Sequence, residues 1–207
     1  MKSFLQNQHA AELADELALW LEEGNPQNYR CFAIADMTML NAKMLVRMER
    51  HASTGVQILE TSRYAAYEEL GPRLIPLDRL PSEKMQRFLS ASDGVPALSF
   101  VELLAPEGIP QLQSLIWLGE AKTADGMQMY CRYTDTRILP VLLNTLTDDQ
   151  TAVLAGSIRR WAWVNREGRL NQKIFAETKA VSDEPLPPLS FEDQQFSSLM
   201  QAAEADL

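Results

Sequence analysis

Strand-like and helix-like segments alternate along this chain. That order predicts an α/β fold, with a parallel or mixed sheet and flanking helices in an N-terminal lobe and a more helical C-terminal lobe after it. Three observations carry the expectation. Short apolar runs of strand length recur at residues 31–35, 56–60, 74–77 and 98–104. Segments with apolar residues at helical spacing fall between them. The composition, 46% hydrophobic and 23% charged over 207 residues, is that of a globular protein long enough for one large domain or two lobes sharing a core. The boundary is placed after residue 134, leaving 1–134 as the α/β lobe and 135–207 as the helical one.

In chain order, Leu13, Leu17, Trp20 and Leu21 recur at helical spacing opposite Glu12, Asp15, Glu16 and Glu23, an amphipathic helix with Gly24 as its C-cap and Pro26 beyond. Residues 31–35 form a continuous apolar run ending at Asp36, a strand buried on both faces. Residues 38–51 read as a helix whose core stripe holds Met44 and Met48. A strand at 56–60 and a short helix at 64–70, closed by Gly71-Pro72, follow. The strand at 74–77 belongs near a sheet edge, because Pro76 has no N–H for a ladder. Ser82 caps a helix to about residue 90, 98–104 is a strand, 110–119 a helix, and Asp125-Gly126 a turn.

Residues 127–140 join a strand to a helix with charges packed into the joint. Met127, Met129 and Cys131 alternate with Gln128, Tyr130 and Arg132, the period of a strand with one buried face. Ile138, Leu139, Val141, Leu142, Leu143 and Leu146 then continue at helical spacing. Asp135 is the N-cap candidate, with Arg132 and Arg137 beside it as ion-pair partners. Beyond the joint, Thr147 and Gln150 have capping-box spacing for a short helix to about residue 155. Residues 158–164 read as a strand with Arg159, Trp161 and Trp163 on one face, and 165–168 as a turn into 170–175. A Pro-rich linker at 176–189 leads to a final helix at 190–205, with Phe196, Leu199 and Met200 on one side.

Composition excludes several functions. A net charge of −9 argues against nucleic acid as a partner, since phosphate binding needs clustered Lys and Arg. No run approaches the roughly 20 apolar residues that span a bilayer, and the N-terminus lacks the apolar core of a signal peptide, so a cytoplasmic chain is expected. Nine isolated glycines form neither a dinucleotide fingerprint nor a phosphate loop. His9 and His51 lie at no ligand spacing from Cys or carboxylates, so neither a metal nor a cofactor is expected. Cys31 and Cys131, in apolar runs, read as buried reduced thiols. A nucleophile built from either of them with His51, in a small hydrolase or transferase, is the enzymatic alternative.

Recognition is what remains. The joint offers Tyr133, Asp135 and Arg137 as a contact surface, if it is more than a capped turn. Arg159, Trp161 and Trp163 are of the types that dominate interface hot spots, although a tryptophan pair also suits a core.

The segments 64–70, Gly71-Pro72-Arg73-Leu74-Ile75-Pro76-Leu77, Arg132-Tyr133-Thr134-Asp135-Thr136-Arg137-Ile138-Leu139, Leu146-Thr147-Asp148-Asp149-Gln150 and Trp161, in this order, resemble the bacterial type VI secretion effector adaptors. These effector-associated chaperones are catalogued as a domain of unknown function. The resemblance runs from about Tyr29 to Val164, with a looser match in the final helix. The family's joint usually reads Arg-Phe/Tyr-x-Asp-Pro-Arg; here Thr136 takes the proline position and a proline appears instead at Pro140. A Pro140 in the second turn of a helix capped by Asp135 would remove a helical bond, so either the helix starts later or its first turn is irregular. The resemblance implies a non-enzymatic adaptor that binds a toxic effector and helps load it on the secretion spike protein. An immunity-type binding protein is a further alternative.

Overall fold

Residues 7–22, 28–46, 55–77, 82–91, 95–165, 168–176, 186 and 188–204 are described by the computed structural model. The strands are β1 (Tyr29–Ala35), β2 (Val56–Gln57), β3 (Arg73–Pro76), β4 (Leu98–Leu104), β5 (Glu120–Lys122), β6 (Gln128–Tyr130), β7 (Ile158–Val164) and β8 (Leu170–Ile174). The helices are α1 (Asn7–Glu22), α2 (Ser82–Ala91), α3 (Gln113–Gly119), α4 (Leu139–Thr145), α5 (Asp148–Ala155) and α6 (Asp193–Glu204). A further helical stretch covers 42–46, and the short helix expected at 64–70 is a 3-10 segment, Ala65–Leu70.

Six strands form one sheet in the order β2-β3-β1-β4-β7-β8, and β5 pairs with β6 in a separate hairpin. Every neighbouring pair is antiparallel, which corrects the expectation of a parallel or mixed sheet. The physical reason lies in the slots the crossovers skip. Ala35 stands opposite Arg73 on one side and Leu98 on the other, so β3 and β4 run in the same direction, joined through α2. A strand–helix–strand crossover is therefore present, but β1 fills the position between its two strands. β1 and β2 likewise run the same way with β3 between them. Alternation of strands and helices specifies crossovers; it does not specify adjacency.

The central strands of the sheet are buried on both faces. Phe32, Ile34, Leu74, Val101, Leu103, Trp161 and Trp163 point into a core closed by α3, α4, α5 and α6. Cys31, Ala33, Ala35, Ile75, Phe100, Ala162 and Val164 point the other way, against Leu13, Leu17 and Trp20 of α1 and Met85, Phe88 and Leu89 of α2. Glu12, Asp15 and Glu16 are exposed on α1, as its amphipathic spacing requires. Met37 is in this second core and Met44 packs against it. The proposed C-cap at Gly24, the residues Pro26, Met48 and His51, and most of the linker lie outside the described residues.

Pro76 sits in a strand flanked on both sides, but β2 pairs only Leu74 and Arg73, so the missing N–H of Pro76 faces no ladder there. β7 and β8 pair as neighbours, and between them Gly168, at φ 78°, donates its N–H to the Asn165 carbonyl. The capping box of α5 is formed: Gln150 N–H donates to Thr147 Oγ1 at 3.2 Å, and Thr147 N–H to Gln150 Oε1 at 3.0 Å.

After the linker the chain returns to its own fold. Lys122 N–H donates to the Leu189 carbonyl and Phe191 N–H to the Lys122 carbonyl, which lays this segment parallel to β5. Leu189, Phe191 and Leu199 are buried in the first core, and Gln195 Nε2 donates to the Thr145 carbonyl at 2.6 Å and to Gln150 Oε1 at 2.9 Å. Strands from both sides of residue 134 share the one sheet. No described helix is long and apolar enough to cross a membrane.

Candidate functional site

The joint after β6 is built differently from a simple cap. Ile138 and Leu139 N–H both donate to the Asp135 carbonyl, and α4 begins only at Leu139, with Pro140 in its first turn. The helix starts late, which places Pro140 where its missing N–H leaves no bond unmade. Asp135 is buried, and its carboxylate accepts from Arg137 N–H at 3.0 Å and from the Arg137 guanidinium at 2.9, 3.2 and 2.6 Å. The expected pair with Arg137 is formed; Arg132 goes elsewhere.

Arg132 reaches back across the fold to Asp36, just past the end of β1. Its Nε donates to Asp36 Oδ2 at 3.3 Å and its Nη2 to Thr38 Oγ1 at 2.7 Å. Thr134 Oγ1 donates to the same Oδ2 at 2.6 Å. The other oxygen, Oδ1, accepts from Thr38 N–H at 3.0 Å and Thr38 Oγ1 at 2.6 Å. Asp36 is 3% exposed, so its carboxylate is held by four donor groups in place of water. It closes a local turn and also ties the end of β1 to the joint nearly a hundred residues later.

This polar cluster floors a cleft of about 500 Å³. Leu59, Tyr64, Tyr67, Gly71, Pro72 and Tyr130 complete the lining. The Tyr64 and Tyr130 rings meet edge to face, with centroids 5.2 Å apart. Arg63 lies over Tyr64 and pairs with Glu120 at 3.2 Å, while its N–H donates to the same carboxylate at 2.7 Å, which fixes the 61–70 segment to β5. Tyr67 stands 65% exposed at the opening. Gly119 packs close behind the wall: a Cβ there would lie 3.1 Å from Tyr130 Cε2 and 3.5 Å from Tyr133 Cε1.

Burial acts on two groups at this end of β6. The Cys131 thiol is pushed up to about 12 and the Tyr130 hydroxyl well above its ordinary value, both chiefly by desolvation. Cys131 is therefore a thiol at neutral pH, the unreactive form. Cys31 is buried as well. Among the described residues no three His, Cys, Asp or Glu side chains group so as to hold a metal ion. Chemically, the arrangement holds and orients: the oxygens of Asp36 are occupied, while the walls offer apolar and aromatic contact area.

Residues 31–152, more than half of the chain, match the family described as Domain of unknown function (DUF4123). The chain belongs to the DUF4123 family. The DUF4123 match takes in Asp36, Thr38, the tyrosines of the cleft and the whole joint, and stops before β7, β8 and α6. No curated protein and no solved structure gives a match.

The six residues singled out from sequence are scattered across this DUF4123 chain. Tyr133 is buried edge to face against Trp161, with ring centroids 5.7 Å apart, and Trp161 Nε1 donates to Ser99 Oγ at 3.1 Å. Trp163 is buried in the same core. Tyr133, Asp135, Trp161 and Trp163 are thus buried. Arg137 is spent on Asp135 and is only partly exposed. The ladder between β4 and β7 shifts between Glu102 and Leu103, and Arg159 turns to Glu102 at 3.3 Å instead of continuing the tryptophan face. Sequence reasoning missed Asp36, Thr38, Tyr64 and Tyr67. One signal was legible: an Asp ending a buried strand with Thr two residues on, the spacing of a side-chain-closed turn.

Proposed function

We propose that this protein is a non-enzymatic adaptor that binds a type VI secretion effector and helps load it onto the spike protein before delivery. Family membership and the motif order quoted above support the reading. The observation that carries it is the cleft, where tyrosine rings and a proline surround an ion pair already fixed by its own hydrogen bonds. Rigid aromatic contact area beside a preset arginine is how protein surfaces hold a partner segment at low entropic cost. Asp36, Thr38 and Arg132 keep the floor in place without the partner, so little ordering is left for the binding step.

The test is coexpression with the effector and spike protein encoded beside this gene. The adaptor copurifies with at least one of them, and its deletion stops effector delivery while leaving the secretion machinery able to fire. Copurification with neither, together with unchanged delivery on deletion, overturns the proposal. Loss of effector toxicity on binding alone would instead assign an immunity role.

A further inference from the structure

We infer that the cleft floored by Asp36 and Arg132 takes an uncharged, aromatic side chain from a partner peptide, with a backbone carbonyl of that peptide accepting from the Arg132 guanidinium. The inference rests on the adaptor reading for its biology and on the cleft alone for its chemistry.

Three features define the occupant. The first is the balance of donors and acceptors. Both oxygens of Asp36 are engaged by Thr38, Arg132 and Thr134, so the floor has no free carboxylate for an incoming donor. Arg132 uses Nε and Nη2, its side chain is 42% exposed, and nothing among the described residues accepts from Nη1. The accessible donor of the site is therefore the Arg132 guanidinium, which calls for an acceptor.

The second feature is charge. Among the described residues of the lining, Asp36 and Arg132 are the formally charged ones, and they neutralise each other. A carboxylate brought into this space would leave one negative charge in excess at a partly desolvated site, whereas a peptide carbonyl adds none. The third is shape. A cleft of about 500 Å³ bounded by Tyr64, Tyr67, Pro72 and Tyr130 has room for a flat ring with its adjoining backbone, and the ring can meet the tyrosines edge to face as Tyr64 already meets Tyr130.

The experiment titrates three peptides into the full chain: acetyl-Gly-Phe-Gly-amide, acetyl-Asp-Phe-Asp-amide and acetyl-Gly-Ser-Gly-amide. NMR follows the arginine Nε–H and tyrosine ring signals. The neutral phenylalanine peptide is expected to shift the Arg132 and Tyr130 signals at millimolar concentration. The acidic peptide should bind about tenfold more weakly, and the serine peptide should leave both signals unmoved. Arg132→Lys keeps the charge beside Asp36 but loses the fork, and Tyr67→Ala removes an exposed ring without opening the core. Each should weaken the neutral peptide about tenfold, Tyr67→Ala with the melting temperature unchanged and Arg132→Lys with some loss of stability from its bonds to Asp36 and Thr38.

The inference is overturned if the neutral peptide leaves both signals in place, if the acidic peptide binds as well, or if neither variant weakens binding. These results separate from the fate of the adaptor reading. An effector that copurifies equally with wild type, Arg132→Lys and Tyr67→Ala removes the cleft as its seat and leaves the adaptor standing. Peptide binding as described, with no copurifying partner, does the reverse.

Discussion

At the scale of single residues, two aspartates organise the joint, and both act by holding an arginine. Asp135 is buried with its carboxylate shared between the Arg137 backbone and guanidinium. Asp135→Ala removes all of those bonds at once and leaves Arg137 partly desolvated, so a loss of about 2–3 kcal/mol is expected in chemical denaturation. A loss of a few tenths would mean the pair is as weak as an exposed one. The cysteines test the environment directly. Both are buried, so the native chain should be inert to a thiol reagent at neutral pH, and both thiols should react after denaturation. The shift at Cys131 also fixes a pH window. The unfolded thiol ionises from about 9.0, whereas the folded one holds its proton until about 12. Raising the pH through that interval therefore favours the unfolded state, and stability falls there while it is unaffected below it. Melting curves of Cys131→Ala should show a shallower alkaline decline than wild type.

At the scale of elements, the position of each wall depends on a close approach or a cap. α3 ends at Gly119 directly behind the Tyr130 ring, where a methyl group would come within 3.1 Å of Cε2. Gly119→Ala is expected to displace the ring and to cost about 1–2 kcal/mol, read as a lower melting temperature together with weaker peptide binding in the cleft. An unchanged melting temperature would show that Tyr130 gives way freely. Most elements were legible in the sequence because their own residues determine them. The apolar run at 98–104 and the capping box of Thr147 and Gln150 sit where local pattern put them. The start of α4 was legible only as an alternative, since Pro140 allowed either a later start or an irregular first turn, and the helix starts at Leu139.

At the scale of the whole molecule, the C-terminal segment is part of the core. Leu189, Phe191 and Leu199 fill the face of the sheet that backs Trp161 and Tyr133, and Gln195 joins α6 to α4 and α5. Truncation after residue 176 should therefore destabilise the chain by roughly 5 kcal/mol or more, from three buried side chains at about 1.5–3 kcal/mol each. Loss of cooperative unfolding is the readout; a truncated chain that melts like the full one would make α6 an appendage.

The sequence by itself determined where most strands and helices lie, which side of α1 turns inward, and that a charged joint follows β6. These follow from periodicity, capping and turn chemistry, which act over a few residues. The tertiary structure alone decided that every neighbouring strand is antiparallel, because a crossover does not say which strand will occupy the slot it skips. It alone decided that Arg132 and Thr134 meet Asp36 from nearly a hundred residues away. No local signal encodes a contact of that separation, since the sheet order that brings the end of β1 beside the joint is a property of the whole packed chain.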